Sequence, residues 1–338
     1  MAGNKTNSIA VLGAGSWGTA LAIHLSQNGV HTTLWSHRSE HAKEMSEARA
    51  NMAYLPGVRF PAGLKMSASL EQAIHGVQDI LLVVPSHAFR ATLCTLAPFR
   101  LPHQRIIWGT KGFEVGTHKL LHQIVAEELG SETPAAVISG PTFAKEVAAG
   151  LPTAVTVASM QDDFADDLAQ TLHSETFRAY TSQDIVGVEV GGAVKNVLAI
   201  AAGIGDGLGF GANTRSALIT RGLVEVMRLG VTLGAERETF MGLAGLGDLV
   251  LTCTDDQSRN RRMGLALGRG QSMEQALIEI AQVVEGVATA KEVHQLAKSL
   301  GVDMPITEEV YNVLHKGKPA KQAVHDLFMR EQKAETIL

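Results

Sequence analysis

The chain has few cysteines, no excess of positive charge and no long hydrophobic run. Cys94 and Cys253 are the only cysteines among 338 residues, which argues against a disulfide framework and a thiolate metal site. A formal net charge of −5 lacks the basic excess typical of proteins that bind nucleic acid or an anionic membrane. Too few apolar residues precede Gly13 for a signal peptide. No uninterrupted apolar run reaches the ~18 residues of a transmembrane helix, so we expect a soluble, reduced, cytoplasmic protein.

The first half of the sequence alternates short apolar runs with helical patterns. This alternation predicts parallel strands joined by crossover helices. From Asp184 onward only helical or wholly apolar segments are evident. We therefore predict an α/β fold, with a doubly wound, mostly parallel sheet domain in residues 1–183 and an all-α domain in residues 184–338. The predicted strands are Ser8–Leu12, Thr32–Ser36, Asp79–Pro85, Arg105–Thr110, Ala136–Ser139, Thr153–Ala158 and Arg178–Thr181.

A glycine motif, G-x-G-x-x-G, follows the first predicted strand and opens a helix. Gly13 permits the tight turn, Gly15 lets the backbone approach a pyrophosphate, and Gly18 allows close packing of helix and strand. The N-terminus of the following helix offers free N–H groups to the anion. A structural βα turn without a ligand is the alternative, and the position between strand and helix favours a dinucleotide site.

The end of the second strand indicates which dinucleotide is bound. A site selective for NAD usually places an acidic residue there to accept from the ribose 2′-OH, and none occurs before Glu40. Arg38, with His37 beside it, is instead suited to a 2′-phosphate. A solvated loop arginine is the alternative. The pattern predicts NADP as the preferred cofactor, with NAD as the second.

Lys195 is the single charged residue in the segment VGGAVKNVLAIAAGIG. Burial of an unpaired ammonium is costly and lowers the pKa of a lysine, which suits it to acid/base chemistry near neutral pH. The alternative is a lysine whose stem lies in the core while its head reaches water. Apolar residues extend on both sides, so we favour a functional Lys195.

Other polar groups are placed where a ligand could meet them. Lys111 and the Gly140–Thr142 turn each follow a predicted strand, at the sheet edge where doubly wound folds bind ligands. Asp248 is the single charge in GLAGLGDLVLTC, and an isolated buried carboxylate needs a partner. We expect Asp248 to pair with Lys195 or to face a polar ligand, and an N-cap role is the compatible alternative.

The segment Ser258–Arg262 opens a predicted helix with basic residues, which oppose the helix macrodipole. A bound anion would remove this conflict, with Ser258 as N-cap and Arg259 as a bidentate donor to phosphate. We expect Arg261 and Arg262 to face solvent.

Two features are not assigned to chemistry. His118 and His122 have i, i+4 spacing without a carboxylate or cysteine ligand nearby, so a surface helix is expected and no metal site is predicted. The stretch 291–300 has the pattern of an ordinary amphipathic helix.

The motifs together resemble the bacterial NAD(P)-dependent sn-glycerol-3-phosphate dehydrogenases. They span residues 13–287 in order and are more specific than the glycine motif alone. The matching pieces are GAGSWGTALA, NMAYLPG, VVPS, TKG, SGPTFAKEV, GGAVKNVLAIAAGIGDGLGFGANTRSALITRGL, GLAGLGDLVLTC, SRNRRMG and VVEGV.

The resemblance implies a Rossmann domain followed by an all-helical domain, and a homodimer. It implies reversible hydride transfer between NAD(P)H and dihydroxyacetone phosphate, giving sn-glycerol 3-phosphate for phospholipid synthesis. Lys195 is then the general acid/base, Lys111 polarises the C2 oxygen, and Asp248 completes the group of catalytic residues. The implied substrate contacts are Lys111, Gly140, Thr142, Lys195, Asp248, Ser258, Arg259 and Asn260. The implied cofactor contacts are Gly13, Gly15, Ser16, Trp17, Gly18, His37, Arg38, Tyr54, Lys111, Ala144, Arg259, Val283 and Glu285.

Two other functions fit part of the pattern. A related two-domain dehydrogenase for a hydroxy acid or sugar acid could use Arg259 for a substrate carboxylate. A nucleotide-binding redox sensor would need the dinucleotide site but not Lys111, Lys195 and Asp248 together, and the joint presence of these residues argues against it.

Overall fold

The computed structural model describes residues 7–332 and residue 335. These residues form two compact units. The first contains the described residues up to Thr110 together with Leu121–Ile185, and the second contains Lys111–Leu120 with the described residues from Val186 onward. The segment that begins at Lys111 therefore belongs to the second unit, although it lies within the first half of the sequence.

The first unit is built on an eight-stranded sheet in the order β10-β9-β8-β7-β6-β1-β2-β5. All neighbouring strands are parallel except β8 and β9, so the predicted mostly parallel sheet is confirmed. The strands are β1 Ser8–Leu12, β2 His31–Trp35, β3 Ala50–Asn51, β4 Leu55–Arg59, β5 Lys65–Ser67, β6 Asp79–Leu82, β7 Arg105–Trp108, β8 Ala135–Ser139, β9 Thr153–Ala158 and β10 Phe177–Ser182.

Helices cover this sheet, and its core is made of the apolar residues of the strands and of the inner faces of the helices. The helices are α1 Ser16–Gln27, α2 Ser39–Ala48, α3 Leu70–Ile74, α4 Phe89–Leu96, α5 Leu121–Leu129, α6 Ala144–Ala148 and α7 Asp162–Leu172. Leu12 lies opposite both Trp35 and Leu82 in the sheet. The turns that follow β1, β2 and β6 therefore leave the sheet side by side at its carboxyl edge.

Three strands were not predicted from the sequence. The hairpin of β3 and β4 contains Pro56 and Gly57, which are uncommon inside strands, and its register shifts at Ala50 and Asn51. The edge strand β5 has three residues, too few for an alternating pattern. Neither segment carries the periodicity from which strands are recognised.

The described residues of the second unit form helices joined by loops and contain no strand, as predicted for the chain after residue 183, and the segment Lys111–Leu120 is a loop. Its helices are α8 Ile185–Gly207, α9 Ala212–Thr232, α10 Asp248–Thr254, α11 Arg259–Gly268, α12 Met273–Ile280, α13 Glu285–Leu300, α14 Pro305–Lys316 and α15 Ala320–Phe328, with a π-helical turn at Leu243–Gly247. Apolar residues of α8 form the centre of the core.

Helix α8 is the one helix of the described residues with the length and composition of a membrane span. Its apolar residues are nevertheless interrupted by Glu189, Lys195 and Asn196. However, 94% of its most apolar window is buried inside the structure, as in the core helix of a globular unit.

Two pairs of glycines bring α8 and α11 into backbone contact. A Cβ added at Gly203 would lie 2.1 Å from the carbonyl oxygen of Arg261, and one at Gly264 would lie 2.0 Å from that of Ile200. One turn further along, Gly207 and Gly268 meet in the same way. Since no larger residue fits at these positions, the glycines fix the place of α11 on α8.

Candidate active site

Two lysines and one aspartate meet inside the second unit. Lys195 Nζ donates a short hydrogen bond to Asp248 Oδ1 and a second bond, of 2.9 Å, to Thr252 Oγ1. Lys111 Nζ donates to the other carboxylate oxygen, Asp248 Oδ2, at 2.7 Å. Asp248 is fully buried, Lys195 is 7% exposed, and the Lys111 side chain is 17% exposed. One carboxylate thus holds two ammonium groups, with an excess of positive charge when both are protonated.

The environment lowers the pKa of Lys195 from 10.5 to about 7. Burial is the main cause because it disfavours the charged amine, and the positive charge of Lys111 lowers the pKa further. The Asp248 carboxylate acts in the opposite direction. An amine with a pKa near 7 can both donate and accept a proton at neutral pH.

The local structure explains how Asp248 reaches Lys195. Asp248 is the first residue of α10, directly after the π-helical turn, and Gly247 occupies the N-cap position. The N-cap alternative for Asp248 is therefore wrong. Gly191 lies one helical turn before Lys195, and a Cβ there would lie 2.6 Å from the carbonyl oxygen of Ala244. The small residue lets the π-helical turn approach α8 closely enough for the ion pair to form.

Thr252 completes the cluster and was not predicted from the sequence. Its Oγ1 donates to the carbonyl oxygen of Asp248 at 2.6 Å and accepts from Lys195. The i, i+4 spacing of Asp248 and Thr252 on one helix is the signal that could have identified it.

The N-terminus of α11 has the predicted cap. Ser258 Oγ accepts from Arg261 N at 3.2 Å. Asn260 joins α8 to α13, because its Nδ2 donates to Asn196 Oδ1 and its Oδ1 accepts from Gly286 N, both at 2.9 Å. Asn196, next to Lys195 in sequence, was also missed.

Arg261 does not face solvent as predicted. It is 7% exposed, and it donates to Asp256, to Asp206 and to the carbonyl oxygen of Cys253. These partners stabilise the buried guanidinium. Arg262 is exposed, in agreement with the prediction.

Arg259, Val283 and Glu285 lie together in the second unit. Arg259 Nη1 donates to the carbonyl oxygen of Val283 at 2.8 Å. Burial lowers the pKa of Arg259, and the charge of Glu285 raises it. The three residues that the resemblance assigns to the cofactor thus share one surface.

The loop that carries Lys111 is held by a buried glutamate. Glu292 on α13 is 2% exposed and accepts from Gly116 N at 2.9 Å and from His118 Nδ1 at 2.6 Å. His118 adopts a positive φ of 60° and precedes α5, so its predicted place on a surface helix is wrong. The helix expected to be merely amphipathic carries this anchoring residue.

In the first unit the glycine turn has the predicted shape. Gly13 has a φ of 121°, and a Cβ there would lie 2.6 Å from the carbonyl oxygen of Val83. A Cβ at Gly18 would lie 2.0 Å from the carbonyl oxygen of Gly13, whereas a Cβ at Gly15 would meet nothing within 4 Å. Trp17 Nε1 is buried without a hydrogen-bond partner. The open space at Gly15 and the N-terminus of α1 fit a dinucleotide.

The other predicted contacts of the first unit are distributed along this carboxyl edge. Ser16 Oγ donates to the carbonyl oxygen of Tyr54 at 2.7 Å, which joins the glycine turn to the loop between β3 and β4. His37 and Arg38 are exposed after β2, and Ala144 begins α6. Thr142 Oγ1 donates to the carbonyl oxygen of Gly140 at 3.3 Å.

No group of three or more His, Cys, Asp or Glu side chains within residues 7–332 and at 335 is arranged to hold a metal ion. Both cysteines are free. Burial raises the pKa of the Cys253 thiol to about 12, so this thiol is chemically inert at neutral pH.

Comparisons with known proteins cover nearly the whole chain. Residues 8–165 match the family model described as NAD-dependent glycerol-3-phosphate dehydrogenase N-terminus, and residues 184–325 match its C-terminus counterpart. The chain is 58% identical over 329 residues to an NAD(P)+ glycerol-3-phosphate dehydrogenase of Aeromonas hydrophila, covering 97% of this chain and 98% of the relative. A crystal structure of glycerol-3-phosphate dehydrogenase from Coxiella burnetii is 51% identical, with a TM-score of 0.93, and the match covers 96% of this chain and 99% of that one.

Proposed function

Because this chain belongs to the NAD-dependent glycerol-3-phosphate dehydrogenase family, we propose that it reversibly reduces dihydroxyacetone phosphate to sn-glycerol 3-phosphate. The observation that carries the proposal is the buried Lys195, paired with Asp248 and Thr252 and with a pKa near 7. Bound NADPH or NADH supplies the hydride.

Lys195 is the proton donor in the direction of ketone reduction. As negative charge develops on the C2 oxygen, the ammonium of Lys195 stabilises it and transfers a proton to it. In the reverse direction the neutral amine removes the hydroxyl proton. Asp248 and Thr252 hold the Lys195 ammonium in one position, and Lys111 adds a second positive charge toward the same oxygen.

The N-terminus of α11 binds the substrate phosphate in this proposal. Its free N–H groups and the positive end of the helix dipole favour an anion, and Arg259, whose Nη1 is bonded to the carbonyl oxygen of Val283, supplies its remaining guanidinium N–H groups. Asn260 positions this helix end through its bonds to Asn196 and Gly286. The substrate contacts of Gly140 and Thr142 stay predictions.

The glycine turn and the loop after β2 bind the cofactor. The α1 N-terminus receives the pyrophosphate, with Ser16, Trp17, Tyr54 and Ala144 as further predicted contacts. Arg38 binds the 2′-phosphate, so NADPH is preferred over NADH. Lys111, Arg259, Val283 and Glu285 stay predicted cofactor contacts of the second unit.

A substrate panel tests this function. We expect rapid NADPH oxidation with dihydroxyacetone phosphate and little with dihydroxyacetone or with 2-oxo acids. Comparable rates with 2-oxo acids would favour the hydroxy-acid dehydrogenase alternative, and no oxidation of NADPH with any ketone would favour a redox sensor.

Replacement of the proposed proton donor is the second test. We expect Lys195→Met to lower kcat by at least about 10²–10³-fold, the usual cost of losing one such donor, while the Kd for NADPH is unchanged. Lys298→Met, which removes an exposed lysine of the same unit, is the matched control. A Lys195→Met variant with nearly normal kcat would refute the assignment.

The cellular setting is also proposed. Supply of sn-glycerol 3-phosphate serves phospholipid synthesis, and the two free cysteines fit the reducing cytoplasm. A homodimer is expected, and sedimentation would report the oligomeric state.

A further inference from the structure

A buried chain of hydrogen bonds connects two parts of the proposed cofactor site within the first unit. Ser36, His41 and Asn51 are 2%, 5% and 0% exposed. Ser36 Oγ lies 3.2 Å from His41 Nδ1, and His41 Nε2 lies 3.1 Å from Asn51 Oδ1. Asn51 belongs to the motif NMAYLPG, whose Tyr54 is a proposed cofactor contact.

The donor and acceptor of each hydrogen bond in this chain follow from the contact of Asn51 with a main-chain carbonyl group. Asn51 Nδ2 lies 2.9 Å from the carbonyl oxygen of Ala14, and because a carbonyl can only accept, the amide nitrogen must face it. Asn51 Oδ1 is then an acceptor, and His41 Nε2 must carry the proton. In the neutral imidazole His41 Nδ1 accepts from the Ser36 hydroxyl, whose oxygen is free to accept from Arg38 N at 3.4 Å.

The chain joins the glycine turn to the loop after β2. At one end, Ala14 lies between Gly13 and Gly15, and Asn51 Nδ2 also donates to Thr19 Oγ1 on α1 at 2.8 Å. At the other end, Ser36 directly precedes His37 and Arg38. Asn51 Oδ1 also accepts from Tyr54 N at 3.1 Å, and Tyr54 is bound by Ser16.

A dinucleotide with a 2′-phosphate must contact both ends at once, because its pyrophosphate belongs at the glycine turn and its 2′-phosphate at Arg38. The long side chain of Arg38 is exposed and has many rotamers. A fixed backbone at Arg38 reduces the number of conformations that binding must select. NADH carries a neutral 2′-hydroxyl at this end and cannot form the charge-assisted bond of a phosphate to Arg38.

We propose that Ser36, His41 and Asn51 are positioning residues that set the selectivity for NADPH over NADH by fixing the Arg38 backbone relative to the glycine turn. The inference rests on the proposed role of Arg38 and deepens it. The three side chains act through Arg38 and not through contact with the cofactor. Their effect should therefore appear in the binding of NADPH and disappear when Arg38 is absent.

A double-mutant cycle on cofactor binding tests the proposal. The Kd values for NADPH and NADH are measured by fluorescence titration for wild type, Ser36→Ala, Arg38→Ala and the double variant. We expect Ser36→Ala to raise the Kd for NADPH about 5-fold, the cost of one hydrogen bond, and to change the Kd for NADH less than about twofold. When Arg38 is already replaced by alanine, adding Ser36→Ala should change the ratio of the Kd for NADPH to the Kd for NADH less than about twofold.

Two further variants sharpen the result. His41→Phe keeps a ring beside Tyr54 but removes both nitrogens, and like Ser36→Ala it should raise the Kd for NADPH relative to the Kd for NADH. Ser46→Ala, which removes an exposed serine about two turns beyond the start of α2, is the control and should leave both Kd values unchanged. Thermal unfolding of each variant checks that the first unit remains folded.

The possible outcomes separate this inference from the proposed function. An equal loss of NADPH and NADH affinity in Ser36→Ala and His41→Phe, or no loss, would overturn the positioning role while Arg38→Ala still lowers selectivity. If Arg38→Ala itself leaves the ratio unchanged, the proposed role of Arg38 fails, and the inference fails with it.

Discussion

Replacing Asp248 by asparagine should move the pH dependence of the reaction to lower pH. Burial and the charge of Lys111 lower the pKa of Lys195, and the Asp248 carboxylate opposes both. Asparagine has nearly the same shape and keeps an oxygen that Lys195 can contact, but it carries no charge. The remaining influences then act unopposed, so the pKa of Lys195 falls below its present value of about 7.

The expected size of this change follows from the geometry. An opposite charge within ~4–6 Å typically changes a pKa by about 1 to 3, and the Lys195–Asp248 contact is direct. With a pKa between about 4 and 6, the protonated fraction of Lys195 at pH 7 falls from about one half to about one tenth or less. Removal of Lys111 should have the opposite effect, because its charge disfavours a second ammonium.

The assay is kcat/KM for dihydroxyacetone phosphate at saturating NADPH, measured between about pH 5 and 9. This parameter reports the pKa of the acid in the enzyme form that binds the ketone. We expect an inflection near pH 7 in the wild type, a lower one in Asp248→Asn and a higher one in Lys111→Met. Asp256→Asn removes a carboxylate that is paired with Arg261 and not with Lys195, and should leave the inflection unchanged. Coincident inflections in all four proteins would show that another group donates the proton.

Three further predictions concern stability and loop position. Burial raises the pKa of Glu225 to about 7, so the folded state keeps a proton that the unfolded state releases above about pH 4.5. The free energy of unfolding should therefore fall as the pH rises from about 4.5 to 7. Thermal unfolding at about pH 5 and pH 8 should show a smaller pH effect in Glu225→Gln, and an unchanged pH effect would refute the assignment. Glu292→Ala removes the acceptor for Gly116 N and His118, so Lys111 should be misplaced and kcat should fall by about 10- to 100-fold. The loss should be smaller in Glu292→Gln, and equal kcat in both variants and the wild type would contradict the prediction. Gly264→Ala places a Cβ 2.0 Å from the carbonyl oxygen of Ile200 and should cost at least about 1–3 kcal/mol in urea unfolding. Gly205→Ala is the control, because Gly205 also lies inside a helix and its added Cβ would meet only Phe210, at 3.9 Å; equal costs in the two variants would contradict the prediction.

The sequence predicted the architecture of the first unit because its central strands are buried apolar runs that each begin with one polar residue. Such runs appear for β1, β6 and β7, and the glycine turn has a fixed spacing. The direction of β9 against β8 could not be predicted, since a run of apolar residues has the same pattern in parallel and antiparallel strands. The resemblance to the glycerol-3-phosphate dehydrogenases is confirmed by the family models and relatives.

The sequence identified charged residues in apolar segments more readily than neutral residues or buried charges in polar segments. Lys195 and Asp248 stand out because each is the only charge in an apolar segment, and the structure pairs them. Arg261 and Glu292 lie among polar neighbours in sequence, so nothing local distinguishes a buried charge from a solvated one. Asn51 bonds to Ala14 and Asn196 to Asn260, and no local pattern encodes such contacts between distant segments. Thr252 had only the weak signal of its i, i+4 spacing from Asp248.

The glycine pairs between α8 and α11 have a consequence for how this family could change its substrate. Main chain touches main chain at four glycine positions, so neither helix can slide or rotate to move the N-terminus of α11, the proposed phosphate site. A larger or smaller anionic group would therefore have to be accommodated by exchange of side chains at that helix end. Directed evolution toward new phosphorylated ketones should accumulate its beneficial substitutions around Ser258 and Arg259 and leave the helix crossing untouched.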